Sequence, residues 1–158
     1  MLHPLAFGES PLPPQRSLAW AVFLGVAVDL GGTLVFLGYF FTYVVLGAIV
    51  SAVASGGATP PAPSFESPAV LAAGFAVGTF FSFLGGYLAA SLRPDRAVLA
   101  GVLMGLSTCL VAFGPSVFFS GTLHTPPAEL VAYALAFLAA VLGSALVRRR
   151  HPILHGSA

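Results

Sequence analysis

From Leu18 to Ala54 the chain reads LAWAVFLGVAVDLGGTLVFLGYFFTYVVLGAIVSAVA, 37 residues in which Asp29 is the only charged side chain. About 20 apolar residues are enough to cross a hydrocarbon core roughly 30 Å thick. As one straight helix this run would be about 55 Å long, nearly twice that thickness, at 1.5 Å per residue. Three arrangements accommodate it. The helix projects beyond the membrane, it breaks at Gly31-Gly32, or its end from Thr42 onward lies along the interface. One long helix, tilted or bent with a projecting end, is the expected solution, because glycine is common in membrane helices and needs no break.

The composition agrees with that reading. Of 158 residues, 58% are hydrophobic and 7% charged, with no lysine, against roughly 25% charged in an ordinary soluble domain. The length allows one compact unit. A net charge of +1 leaves no broad basic surface, so nucleic acid is excluded as a partner. The single Cys109 lies in an apolar run and reads as a small buried residue with no internal disulfide.

Working outward, residues 55–67 (SGGATPPAPSFES) form a Gly/Pro/Ser loop, and Ser67-Pro68 reads as an N-cap followed by proline in the first turn. A second helix is expected over 68–92, closed by the turn Arg93-Pro94-Asp95-Arg96. The third covers about 97–119, with Gly114-Pro115 expected to kink or end it. Thr125-Pro126-Pro127 repeats the cap-then-proline start, and Glu129 suits the first turn of a fourth helix over about 126–147. Residues 1–16 form a proline-rich tail without the positive n-region of a signal peptide. Residues 148–158 are a basic tail, and 17–147 hold the four helices.

Arg16, Arg93, Arg96 and Arg148 to Arg150 all fall on one side of a four-helix model, and the two opposite loops contain no arginine. Positive residues mark the cytoplasmic side. The expected fold class is therefore all-α, an integral membrane four-helix bundle with a long first helix and both termini in the cytoplasm. Trp20 would sit near the inner headgroups, and Tyr43 and Phe118-Phe119 toward the outer ones.

Small residues recur on one face of each helix. Gly25, Asp29, Gly32 and Thr33 share a stripe in the first, and Gly74, Gly78, Ser82, Gly85 and Ala89 in the second. Gly101, Gly105, Thr108 and Ala112 do so in the third, as do Ala132, Ala136, Ala139 and Gly143 in the fourth. Such stripes let backbones approach in lipid, where apolar burial gives helices no preference for one another. The alternative is that one stripe docks onto another protein, with Gly74-x-x-x-Gly78 the one most readily left over.

A carboxylate at the centre of a membrane helix costs about 2.5–3.5 kcal/mol on insertion scales, so Asp29 requires a reason. Counting from Leu18, Leu92 and Ala97 places Asp29, Ser82 and Thr108 at a common depth of about 15–17 Å. With Thr33 one turn away, these four residues are the expected buried polar cluster, and Tyr87 or Tyr133 the longer-range donors. No arginine lies at that depth. The carboxyl is expected to be neutral or to share a cation, either fixing how the helices pack or forming a proton or cation site. A pathway normally uses more than one ionisable group, and no second one is expected inside the helices.

Enzymatic constellations are missing. His3, His124, His151 and His155 fall in tails or a loop, and there is no HExxH, CxxC or paired carboxylate set. No enzyme activity, metal site or cofactor is indicated.

Asp29-Leu30-Gly31-Gly32-Thr33, followed by Gly85-Gly86-Tyr87-Leu88-Ala89-Ala90 and an arginine-containing turn, resembles a family of small, uncharacterised four-helix bacterial membrane proteins. The resemblance spans roughly residues 18–147 and implies a bundle in the cytoplasmic (inner) membrane, with no activity attached. In that pattern an arginine often follows the double alanine directly, whereas here Ser91-Leu92 intervene.

The leading functional expectation is a non-catalytic accessory or scaffold subunit, packed with a membrane-protein partner or with further copies of itself in the bilayer. A small transporter or channel with its site at Asp29 is the alternative, and a protein that binds lipid or a hydrophobic cofactor the third.

Overall fold

The four apolar runs form four helices in the computed structural model, which describes residues 17–56, 68–120 and 127–150. They are α1 (Leu18–Ala54), α2 (Pro68–Leu92), α3 (Ala97–Ser120) and α4 (Pro127–Arg150), each long and apolar enough to cross a membrane. The proline-rich head, Arg16, the Ser67 and Thr125 caps, the four histidines and residues 151–158 lie outside the described residues.

Local chemistry sets the helix ends. Ser17, in an extended conformation, accepts a hydrogen bond from the Trp20 backbone N–H and caps α1. The helix then runs unbroken through Gly31-Gly32 and stops where Gly56 adopts a positive φ of 68°, a conformation open to glycine at little cost. Between α2 and α3 a single 3-10 turn, Pro94–Arg96, reverses the chain. Nε and Nη2 of Arg93 reach the two carboxyl oxygens of Asp95 at 2.9 and 2.8 Å, clamping that turn.

α3 reaches Ser120, close to its expected limit, and Gly114-Pro115 does not end it. A proline near the end of an apolar helix removes only one backbone hydrogen bond, and neighbouring structure absorbs the loss. Likewise α4 does not stop at Val147 but includes Arg148, Arg149 and Arg150. Arginine is a good helix former, and its charge suits the negative end of the helix dipole.

α2 packs against all three other helices, and α3 also touches α1 and α4, while α1 and α4 scarcely meet. The described arginines gather at one end. Asp95, Arg96 and Arg148 line one shallow depression there, and Arg150 donates to the Tyr87 hydroxyl at 3.3 Å. This arginine end is where packing is closest. A Cβ on Gly25 would lie 2.7 Å from the Gly85 carbonyl oxygen and 2.9 Å from Met104. Gly86 is pressed against the Ala140 carbonyl, Gly101 against the Ser144 side chain, and Gly143 against the Phe83 carbonyl. Gly105 and Gly32 rest against the rings of Phe137 and Phe81.

The stripes do not act alike, however. Gly74 and Gly78 have nothing within 4 Å of where a Cβ would stand, so their expected role in helix packing is corrected: they face open space. Every buried apolar residue described (Ala21, Ala89, Ala90, Ala97, Ala100, Met104, Ala139, Ala140 and Val147) lies between the Asp29 level and the arginine end. Beyond that level contact is made by large side chains, Gly32 of α1 against the Phe81 ring of α2 and Phe113 of α3 against Tyr133 of α4.

At the far end α1 outruns its neighbours. The Asp29–Ser82 pairing sets the register of antiparallel α1 and α2, so Tyr43 stands level with Pro68. Val44 to Ala54 then continue about 16 Å further at 1.5 Å per residue. Its surface there is apolar and open, with Val50 65% and Val53 77% exposed.

Candidate functional site

Asp29 sits at the boundary between the close-packed end and the open end. It is 2% exposed and Ser82 3%. The Ser82 hydroxyl reaches both carboxyl oxygens, at 3.0 and 3.1 Å. Their helices bring them together for a simple reason: small residues one turn below each, Gly25 on α1 and Gly85 to Gly86 on α2, draw the two backbones close enough for a short serine to span the gap.

Thr108 enters the same place from α3. It is turned toward the Asp29 carboxyl, yet its Oγ1, shielded from solvent, completes no hydrogen bond. A buried hydroxyl left unmatched costs about 1–3 kcal/mol, so the Asp29 carboxyl beside it is its natural acceptor. The Ser107 and Ser144 hydroxyls, by contrast, donate to the Leu103 and Val141 carbonyls of their own helices at 2.8 and 2.7 Å.

A cavity of about 430 Å³ extends from this layer toward the far end, as far as Gly74 and Glu129. All four helices wall it. Asp29 and Thr33 come from α1, Ser82 and Thr79 from α2, Thr108 from α3, and Tyr133 and Glu129 from α4. Gly74 and Gly78 form part of the α2 wall, and their missing side chains are what leave the space. Apolar groups, among them Leu30, Leu34, Phe75 and Val111, make up much of the remainder. Tyr133 is held by Phe113, ring centroids 4.5 Å apart.

The four residues of the expected polar cluster, Asp29, Thr33, Ser82 and Thr108, thus border one space. Asp29 and Ser82 are joined by hydrogen bonds, and Thr108 is turned toward the same carboxyl. Thr33 lines the cavity one turn further out. Tyr87 is not a donor to Asp29, because it lies at the arginine end beside Arg150. Tyr133 is on the cavity wall.

One further acid borders the same space, from an exposed position in the first turn of α4. Glu129 lines the cavity, two turns or about 12 Å along the axis from the Asp29 layer. Its position was readable: Glu129 precedes Ala132, Tyr133 and Ala136 at the i+3, i+4 and i+7 spacing of one face. As a first-turn acid it drew the helix-dipole explanation instead. None of the described lining residues is basic, and no group of His, Cys, Asp and Glu among the described residues is arranged to hold a metal ion.

No family model matches the chain, and neither a curated protein nor a solved structure is similar enough to be placed beside it.

Proposed function

We propose that the chain is an integral membrane four-helix bundle that holds a small solute or ion in the cavity ending at Asp29, as a small transporter or a binding subunit. One observation carries this reading: a cavity of about 430 Å³, walled by all four helices, has a buried carboxyl at its closed end. Ligand sites are commonly 300–1,000 Å³, mostly apolar, with a few converging polar groups. An intramembrane acid is by default a candidate for function.

In this reading both termini and the arginine end are cytoplasmic, on the positive-inside principle, and the cavity opens toward the opposite face. The membrane is the bacterial inner membrane, as the resemblance implies. The site binds; it carries out no covalent chemistry. Native mass spectrometry of the chain released from lipid nanodiscs tests the reading. A small molecule retained at one per chain, and lost in Gly78→Leu, is expected. A chain that carries nothing, and whose liposomes leak protons and Rb⁺ no faster than protein-free ones, would sink it.

A second reading, an accessory or scaffold subunit, is favoured by the far end of α1, where Val45, Ile49 and Val53 are more than half exposed. An apolar helix extending about 16 Å past its neighbours suits a partner's surface or a second copy. Purification in mild detergent as a lone monomer, with nothing captured alongside, would remove this second reading.

A further inference from the structure

We infer that the occupant of the cavity is a lipophilic monocation: a compact ammonium-type head carried on an apolar, partly aromatic body. The inference rests on the binding reading above and names the ligand class for that same site.

Charge comes first. The two ionisable carboxyls on the wall, Asp29 and Glu129, are both acids, and no described lining residue is basic. Two acids about 12 Å apart along one space give it a single sign. An anion entering there would meet repulsion at the buried Asp29, where charges are weakly screened, and a weaker one at the exposed Glu129. A cation would be attracted along the whole length and could rest against Asp29, where the Ser82 hydroxyl already holds the carboxyl in place. The Thr108 hydroxyl stands beside it, shielded from solvent and turned toward the same carboxyl, where it can donate to a carboxyl oxygen and accept from a donor on the ligand head.

Size and lining give the rest. A bare metal ion or a proton needs a few oxygen ligands within bond distance, not some 430 Å³ bounded by Leu30, Leu34, Phe75 and Val111. An uncharged hydrocarbon would fit the walls but would not reward a carboxyl buried at the closed end. Phe75 and Tyr133 are among the residues that line the space, and aromatic rings attract organic cations within about 6 Å. Gly74 and Gly78 point to the same conclusion from the backbone. At both positions a side chain would have room, so their bareness serves the volume of the cavity and not the contact of helices.

Isothermal titration of the full chain in nanodiscs with three probes tests this. They are benzyltrimethylammonium, its neutral carbon isostere neopentylbenzene, and benzenesulfonate. The cation is expected to bind at least ~10-fold more tightly than either of the others. Asp29→Asn should weaken it by ~10-fold or more, Glu129→Gln by less, and Gly78→Leu should remove it. Equal binding of the cation and its neutral isostere to the unmodified chain, both abolished by Gly78→Leu, would overturn the charge class and leave the site standing. No saturable binding of any probe, or binding indifferent to Gly78→Leu, would overturn the site together with the inference. The comparison of probes on the unmodified chain decides the matter even if a substitution at Asp29 prevents folding.

Discussion

The Ser82 hydroxyl bridges both carboxyl oxygens of Asp29, at 3.0 and 3.1 Å, across the interface of α1 and α2. That pair is the hinge between two kinds of packing. Toward the arginines, glycine and alanine bring backbones into contact; away from them, the same residue types border an open cavity.

If the pair holds α1 to α2, Ser82→Ala should lower stability by about 0.6–1.7 kcal/mol, the range of interhelical hydrogen bonds in membranes. A double-mutant cycle with Asp29→Asn, read from unfolding in mixed micelles, should show coupling between the two positions. Strictly additive effects would contradict a direct bond.

Glycine substitutions should divide by position. Gly25→Ala places a methyl 2.7 Å from the Gly85 carbonyl oxygen and is expected to cost about 1–3 kcal/mol, as overpacking does. Gly78→Ala meets nothing within 4 Å and should be neutral or stabilising by up to about 1 kcal/mol, from helix propensity. Thermal melts of the two variants side by side check this. Equal losses would mean that the far-end cavity is closed by packing.

The turn between α2 and α3 should be sensitive to acid. The Arg93 guanidinium beside Asp95 holds its carboxyl below the usual value of 3.8. A depressed carboxyl contributes stability that is present above its unfolded value and lost as pH falls through the folded one. The clamp therefore operates at neutral pH and fades below about pH 4. Both side chains are partly open to solvent, so the effect should be modest and weaken with salt. Asp95→Asn should remove the loss of amide protection on acidification, measured relative to intrinsic exchange rates, at Arg93 and Asp95 to Ala97.

Exposed positions on the projecting part of α1 should be free of the fold. Replacing Val45, Ile49 and Val53 by serine touches side chains that are 53–77% exposed and should change unfolding by less than about 0.5 kcal/mol. Loss of a co-purifying protein, with unfolding unchanged, would assign this segment to an interface. Loss of fold instead would show that α1 depends on contacts along its whole length.

The sequence alone determined the number, order and approximate limits of the helices, because an apolar run of that length has one way of satisfying its backbone in hydrocarbon. It also determined that Asp29, Ser82 and Thr108 would share a level, since a fixed rise of about 1.5 Å per residue turns position into depth. Tertiary structure alone decided what surrounds that level. Gly25 and Gly78 read identically as members of a small-residue stripe, yet one lies against a neighbouring backbone and the other borders a cavity. Glu129 faces that cavity with Asp29, although 100 residues separate them in the chain. Periodicity gives each helix a face but not the rotation, tilt or splay of that face against its neighbours. Those follow from side-chain contacts between distant segments, summed over the whole assembly.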